Sequence, residues 1–196
     1  VRYSIGAAGR YMLHVGLRKV AVALPGSPFQ LEVKPGRAHA PSTQLPTEAL
    51  PLQSIVGQGG RMKLRLRDIM GNACTEGGAP LTATLEKHTA SVRTECEDQQ
   101  DGSYVISWSG QVAGSYSVNV LLDGVHVIGS PTTLSLLPAG PDVSKCEVSG
   151  DGLTLGVAGN PSRLRIRCRD AYGNDAEPPT AIAYGLVLIP TSGAGG

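Results

Sequence analysis

The sequence predicts an all-β protein, and three patterns carry that prediction. No stretch of about ten residues places apolar side chains at helical spacing without an intervening Gly or Pro. Apolar and basic residues alternate with a period of two along residues 62–67, and again along residues 164–169. Turn-forming residues separate many of the candidate strands at roughly 8–12 residues, a spacing typical of β-sandwiches.

Each alternating segment is expected to place its apolar side chains on one face. In residues 62–67, Met62, Leu64 and Leu66 should face a core while the basic side chains between them face water. In the later segment, the apolar positions are Leu164, Ile166 and Cys168. Further candidate strands are residues 11–15, 19–24, 104–108, 116–122, 125–128 and 134–137.

Composition and charge exclude several classes of function. Lys and Arg number 17 against 16 Asp and Glu, which gives a net charge of +1. A nucleic-acid binder needs a basic stripe to displace phosphate counterions, so no nucleic-acid partner is expected. Apolar runs reach about five residues, as at 20–24, whereas a membrane span needs about 18, so no membrane segment is expected. The chain opens without Met or a signal peptide, and we expect it to be a piece of a longer protein.

An internal repeat organises the chain. The pattern Arg-Asp-x-x-Gly-Asn at residues 67–72 returns at residues 169–174, an offset of 102 positions. Gly-x-Tyr at residues 9–11 returns at 114–116, and Gly-Ser-Pro at residues 26–28 returns at 129–131. A period near 103 residues matches the length of one immunoglobulin-like domain.

These landmarks also carry a family resemblance. Arg-Asp-x-x-Gly-Asn, then Asp-Gly-Ser-Tyr at residues 101–104, then Gly-x-Tyr, Gly-Ser-Pro and a Pro/Gly junction resemble the filamin-type immunoglobulin-like repeat in the same order. The resemblance covers essentially the whole chain and implies tandem β-sandwich repeats. It implies the closing strands of one repeat in residues 1–35, a complete repeat in residues 36–140, and the opening strands of a further repeat in residues 141–196.

The partial repeats raise an alternative about assembly. Residues 1–4 align with the end of strand E, and residues 181–187 are the candidate strand C of the last repeat. Neither partial repeat can bury both faces of a sandwich alone, and together they have about 90 residues, close to one domain. Self-association between chains through the partial repeats is therefore one hypothesis, and strands lying outside the given sequence are the other.

The landmark residues have structural roles in this interpretation. Gly71-Asn72 and its counterpart Gly173-Asn174 suit a tight turn, since Gly and Asn tolerate positive φ. Tyr11 and Tyr116 should each bond back to the backbone at the start of strand F, as in other immunoglobulin-like folds. Pro28 and Pro131 are expected at a break before the last strand, because proline cannot donate to a ladder.

No catalytic or metal-binding constellation is apparent. The four histidines lack metal-ligand spacing to each other or to a cysteine, so surface or strand positions without a chemical role are expected: His14, His39, His88 and His126. Residues 57–60 are glycine-rich, but a strand follows them, so a loop between strands A and B is favoured over a phosphate loop. Residues 95–98 are acidic but lack the spacing of a calcium loop. The sequence predicts neither an enzyme nor a cofactor.

The cysteines bear on the compartment. Cys168 is on the inward face of strand B and Cys146 lies near strand A, so a disulfide between them is geometrically conceivable. Two cysteines in a domain do not make a disulfide-dense scaffold, and buried free cysteine is common. No asparagine stands in an N-glycosylation pattern, which favours an intracellular chain.

The family resemblance implies partner proteins that add a β-strand beside strand C, over the groove between strands C and D. In this sequence strand C is predicted at residues 81–86 and strand D at residues 91–96. The candidate partner-binding residues are Leu81, Thr82, Ala83, Thr84, Leu85, Val92, Thr94 and Cys96. An exposed edge offers unpaired backbone groups, although Lys87 is a charge of the kind that protects an edge from pairing.

The predicted function is a structural scaffold and interaction rod with cytoskeletal or ciliary protein partners. The expected location is the cytoplasm, the cytoskeleton or a cilium. The alternative is an extracellular adhesion or recognition stalk on a cell or gamete surface, which an oxidised Cys146–Cys168 pair would favour.

Overall fold

The computed structural model describes residues 1–17, 22–49, 52–87, 90–178 and 185–189. Within these ranges the regular structure consists of β-strands and single turns of 3-10 helix, which confirms the all-β prediction. The chain divides into two compact units, Val1–Leu137 and Pro138–Gly196. The predicted boundary near residue 140 lies close to this division, while residues 1–35 share a unit with the repeat that follows them. The assignment of three separate repeats stays a prediction.

The described residues among the first 35 form two small antiparallel sheets. The strands are β1 Gly9–Leu13, β2 Gly16–Leu17, β3 Val22–Ala23 and β4 Phe29–Val33. Strand β1 pairs with β4, and β2 pairs with β3. Of the predicted strand 19–24, residues 18–21 lie outside the described residues and only β3 is a strand. Residues 1–4, aligned with strand E by sequence, form no strand.

Residues 36–137 form a sandwich of two sheets, which follow 3-10 turns at Ala40–Ser42 and Thr47–Ala49. The strands are β5 Leu52–Ile55, β6 Gly60–Arg65, β7 Leu81–Lys87, β8 Ala90–Ser91, β9 Arg93–Asp98, β10 Ser103–Ser109, β11 Gly114–Leu122, β12 Val125–His126 and β13 Thr132–Leu137. One sheet has the order β6-β10-β9. The other has the order β5-β13-β11-β7-β8, with β12 beside β11. Strand β5 runs parallel to β13, and the other pairs are antiparallel.

The core of the sandwich lies between the inward faces of these sheets. Met62, Leu64 and Leu66 are at most 5% exposed, whereas the basic residues between them are exposed. The alternation predicted for residues 62–67 is therefore confirmed. Ile106 from β10 and Val118 from β11 are fully buried on the two facing sheets. Apolar surface removed from water in this layer is the main stabilising contribution to such a fold.

The second unit contains one short antiparallel sheet among its described residues. It has 3-10 turns at Val143–Lys145 and Asp151–Leu153, and strands β14 Glu147–Ser149 and β15 Arg165–Arg167, which pair with each other. Of the predicted strand at 181–187, residues 181–184 lie outside the described residues. Residues 185–187 are described and form no strand.

The Arg-Asp-x-x-Gly-Asn turn has the same hydrogen bonds in both units. Asp68 Oδ1 accepts from the backbone N of Met70 at 2.9 Å and of Asn72 at 2.8 Å. Asp170 makes the equivalent bonds, both at 2.9 Å. The predicted positive φ holds for Gly71, at +84°, and for Gly173, at +86°. For the two asparagines the predicted reason is wrong, because they do not have positive φ and contribute their side-chain amides instead.

The tyrosine and proline predictions are confirmed. Tyr11 Oη donates to Ala7 O at 2.8 Å, and Tyr116 Oη donates to Val112 O at 2.7 Å, just before the strand in each case. Pro131 follows a cis peptide bond and stands directly before β13, and Pro28 stands in the same way before β4. The landmark residues of the repeat thus have structural contacts in the folded chain.

Candidate partner-binding edge

Strand β7, which corresponds to strand C, lies near the edge of its sheet. One side pairs with β11 through residues 81–86. On the other side β8 pairs only with Glu86 and Lys87. Among the described residues, no strand therefore covers the open side of β7 from Leu81 to Leu85.

The backbone groups along β7 alternate between the two sides of the strand. Asp123 N donates to Pro80 O at 3.0 Å across the β7–β11 ladder. Because hydrogen-bonded pairs alternate in antiparallel sheets, the backbone groups of Thr82 and Thr84 face β11. Those of Ala83 and Leu85 face the open side. These two residues therefore present donors and acceptors that a further strand could pair with.

The side chains of the eight predicted residues fall into three groups. Leu81, Leu85 and Val92 are buried, at 8%, 5% and 7% exposed, and belong to the core. Thr82 and Thr84 are exposed on the outer face of β7. Ala83, Thr94 and Cys96 are half-buried, and they line the inner side of the two neighbouring strand edges. Strands β7 and β9 lie near each other, and partner binding by these residues stays a prediction.

Strand D begins later than the sequence predicts. It is β9, Arg93–Asp98, whereas Ser91 belongs to β8 and pairs with Glu86 of β7. Val92 lies between the two strands with its side chain buried, at the point where the chain passes from one sheet to the other. The alternation of side chains alone could not locate this crossing. Side chains alternate with a period of two in residues 91–96, so the pattern looks like one continuous strand.

Lys87 does not protect the edge in the way that the sequence suggests. Its Nζ donates to Ala113 O at 2.9 Å and lies 5.3 Å from the centre of the Tyr116 ring. This arrangement is a cation–π contact, and Lys87 is half-buried. The ammonium group of Lys87 therefore binds near the start of β11, and it does not lie along the open side of β7 at Ala83 and Leu85.

The electrostatics along β9 do not suggest chemistry at this edge. Burial raises the pKa of the Cys96 thiol, and the nearby Asp98 carboxylate raises it further. A thiol in this state stays protonated near neutral pH and is a poor nucleophile. Asp98 accepts from Gly78 N at 2.6 Å and Gln100 N at 2.8 Å, and these bonds lower its pKa. The acidic residues 95–98 thus belong to a strand, and the carboxylate of Asp98 at its end binds backbone N–H groups of the neighbouring loops.

Other chemistry-bearing residues have structural contacts. His39 Nδ1 lies 2.9 Å from Ser42 Oγ, and His126 Nδ1 lies 2.9 Å from Ser130 Oγ. His88 is outside the described residues. The described part of the chain contains no group of three His, Cys, Asp or Glu side chains that could hold a metal ion. Residues 56–59 join β5 to β6, which begins at Gly60, so the predicted loop between two strands is confirmed.

Cys74, Cys96, Cys146 and Cys168 all lie within the described residues, and no disulfide bond joins them in this structure. The register of β14 and β15 pairs Glu147 with Arg167, so the next positions out, Cys146 and Cys168, stand opposite each other. Cys146 Sγ lies 3.2 Å from Asp142 O, to which the thiol donates. Thr43 occupies the equivalent place in the complete repeat, with Oγ1 donating to His39 O at 3.0 Å. This role of Cys146 was not predicted from the sequence, although the period near 103 residues aligns Cys146 with Thr43.

None of the helices in the described residues is long and apolar enough to cross a bilayer. Curated proteins are similar to about half of the chain. Filamin-C of Rattus norvegicus is 34% identical over 95 residues, which cover 48% of this chain and 3% of that protein. Tripartite motif-containing protein 2 of Homo sapiens is 32% identical over 86 residues, covering 43% of this chain and 12% of that protein. The chain therefore spans only a small part of the curated relatives it matches.

The fold is also shared with a bacterial protein. The Escherichia coli adhesin FdeC superposes with a TM-score of 0.55 at 20% identity, covering 79% of this chain and 48% of that one. At that identity the likeness concerns the fold alone. Residues 35–133, half of the chain, match the family model described as the Filamin/ABP280 repeat. The match includes strands of both sheets, the open edge of β7 and the Asp68–Asn72 turn, and the chain belongs to the filamin repeat family.

Proposed function

We propose that residues 36–137 act as a docking module in a structural scaffold, binding an extended segment of a partner protein as an additional strand beside β7. The observation that carries this proposal is the open side of β7, where Ala83 and Leu85 present unpaired backbone groups. Main-chain hydrogen bonds provide affinity in this mode of binding, and alternate side chains provide specificity.

The side chains around the edge indicate which segments would bind. Ala83, Thr94 and Cys96 are small or of medium size and half-buried, so the side chains of the partner that point inward should be small or apolar. Thr82 and Thr84 offer an uncharged outer face. Arg93 and Glu95 are paired with each other at 2.6 Å, while Glu97 and Asp98 make the far end of β9 acidic.

The test uses peptides selected on the full chain from a displayed library of extended segments. Ala83→Pro removes the N–H that faces the open side and leaves the β7–β11 ladder intact, since proline is tolerated at a sheet edge. We expect it to reduce the affinity of selected peptides at least about tenfold, which corresponds to roughly 1.4 kcal/mol for lost strand pairing. Unchanged affinity of every selected peptide for a folded Ala83→Pro chain contradicts the proposal.

Two further variants separate docking from folding. Thr84→Pro removes an N–H that faces β11, so it should destabilise the sandwich itself. Thr94→Trp narrows the space between β7 and β9 without changing the β7 backbone, and it should also weaken peptide binding. Gln58→Ala, in the exposed turn between β5 and β6, is the matched surface control and should change neither property.

Partners among cytoskeletal or ciliary proteins, in the cytoplasm or a cilium, form part of this proposal. The facing positions of Cys146 and Cys168 favour the second candidate, an extracellular adhesion stalk, if that pair is oxidised in the native protein. Alkylation under denaturing, non-reducing conditions distinguishes the two. Four labelled thiols support the intracellular scaffold, and two or none support the stalk.

Self-association through the partial repeats is also kept as a proposal. In the β1–β4 sheet, the directly paired residues Leu13 and Phe29 lie on the same face as the pair Tyr11 and Leu31, and Phe29 is 45% exposed. An apolar sheet face of this kind gains free energy when a second sheet covers it. A monomeric mass of the full chain in light scattering contradicts this part of the proposal.

A further inference from the structure

The Asp68–Asn72 turn reaches beyond its own sandwich. Asn72 Nδ2 donates to Gly6 O at 2.8 Å, and Asn72 Oδ1 accepts from Ala8 N at 2.9 Å. Gly6 and Ala8 lie in the segment that leads into β1, in the partial repeat that precedes the complete one. One half-buried side chain thus uses both its donor and its acceptor on the backbone of a neighbouring repeat.

Asp68 holds Asn72 in the orientation that these bonds require. Its Oδ2 accepts from Asn72 Nδ2 at 2.9 Å, and the same oxygen accepts from Gly36 N at 2.7 Å in the segment between the two repeats. Asp68 itself is 2% exposed. The carboxylate therefore joins the turn to the connecting segment, while the asparagine joins the turn to the preceding repeat.

The ionised form of Asp68 is the one that this arrangement favours. The side-chain bond from Asn72 lowers the pKa of Asp68, and backbone N–H bonds from Gly36, Asn72 and Met70 lower it further, against the opposing effect of burial. A charged acceptor makes stronger hydrogen bonds than a neutral one. The arrangement is therefore present throughout the neutral pH range.

We propose that the Asp68–Asn72 turn is a clamp between repeats, in which Asn72 binds the backbone of residues 6–8 and fixes the complete repeat to the one before it. The partner surface is the backbone of a loop leading into a strand, and an asparagine amide is suited to it because it pairs with one N–H and one C=O together. Only backbone groups are recognised, so the loop is free to vary in sequence. The clamp does not involve β7, and its test is independent of the docking proposal.

The test is amide hydrogen exchange of the full 196-residue chain, followed by mass spectrometry. Asn72→Ala should speed exchange of the amides in residues 6–13 roughly five- to tenfold, as expected for the loss of such bonds. Amides in β10 and β11 should keep their protection, which shows that the sandwich remains folded.

A second variant approaches the clamp from the other side. Ala8→Pro removes the N–H that Asn72 accepts from and makes no contact with Asp68. It should raise the rate of amide exchange in β1 as Asn72→Ala does. The exchange rate of the double variant should exceed that of neither single variant, because both substitutions remove the same interaction. This variant keeps the proposal testable if Asn72→Ala weakens its own turn.

Glu76→Gln is the matched control at the same junction. Glu76 pairs with Lys34 at 3.0 Å, but both side chains are largely exposed, so the pair should contribute little. Its exchange pattern in residues 6–13 should match that of the unmodified chain. The proposal is overturned if Asn72→Ala changes only residues 66–74, if Ala8→Pro changes nothing beyond its own position, or if residues 6–13 are unprotected in the unmodified chain.

Discussion

The two copies of the Arg-Asp-x-x-Gly-Asn turn share their local hydrogen bonds, but the strands that precede them differ in how deeply they are buried. Asp68 and Asp170 are both buried, at 2% and 0% exposed. The strands before them differ: Leu64 is 1% exposed, whereas its counterpart Ile166 is half-buried. Among the described residues, only the first turn belongs to a sandwich of two facing sheets. The turn is therefore a local structure set by its own side chains, while burial of the strand depends on a second sheet.

Truncation of the core should separate the two regions most strongly. Leu64→Ala should lower the free energy of unfolding of the complete repeat by about 2–5 kcal/mol, because it removes a fully buried side chain and leaves a cavity. Ile166→Ala should change the same quantity by less than about 0.5 kcal/mol. Urea unfolding followed by the fluorescence of Trp108, which is 5% exposed within the complete repeat, measures both variants. Equal losses would contradict the comparison.

The equivalent positions of Thr43 and Cys146 allow a smaller and sharper test. Thr43 Oγ1 accepts from Arg67 N at 3.0 Å and donates to His39 O at 3.0 Å, and the residue is fully buried. Thr43→Val should cost about 1–3 kcal/mol, since it leaves buried backbone groups unpaired.

Thr43→Cys should cost less than Thr43→Val, because a thiol already occupies this place in the second unit. The same urea titration compares the two variants. If cysteine proves as costly as valine at this position, the sulfur of Cys146 does not replace the hydroxyl of Thr43.

The smallest expected effect is a lowered pKa for the carboxyl groups of Asp68 and Asp170. Hydrogen bonds from Asn72 lower the pKa of Asp68; for Asp170, burial opposes the shift, but bonds from Asn174, Ala139 and Tyr172 outweigh it. Both carboxyl groups should titrate below the ordinary value of 3.8 in carbon-13 NMR.

The lowered pKa values also give the direction of the pH dependence. The stability that these groups contribute is present above pH 3.8, the ordinary value, and is lost as pH falls through the folded-state pKa. A normal titration of Asp170 beside a shifted Asp68 would show that the turn needs the complete sandwich in order to form.

The sequence predicted those parts of the fold that depend on local patterns. Alternation placed Leu64 and Leu66 in the core, and the repeat offset aligned Tyr11 with Tyr116, which occupy equivalent positions in β1 and β11. The start of strand D was predicted wrongly from the alternation. The chain passes between the sheets at Val92, and the position of this passage depends on where the facing sheet can bury that side chain. Ala181, in the predicted strand C of the second unit, lies outside the described residues.

The candidate edge was predictable in position but not in detail. Residues 81–86 were assigned to strand C, and β7 spans Leu81–Lys87. Which backbone groups face the open side follows only from the register with β11, and the contact of Lys87 with Tyr116 joins residues far apart in the sequence. The partner of Asn72 was likewise hidden, since nothing in a turn sequence indicates a contact with residues 6–8.

The parallel pairing of β5 with β13 bears on how the complete repeat would respond to tension. Leu52 pairs with Leu134 and Ile55 with Leu137, so the first and last strands of this sheet run side by side in the same direction. A pull that reached these strands from the two ends of the repeat would draw them in opposite directions along their length. Such a load is shared by all the hydrogen bonds between the strands at once, whereas a hairpin pulled from its open end breaks them one after another. The strand order therefore suits this repeat to bearing mechanical load.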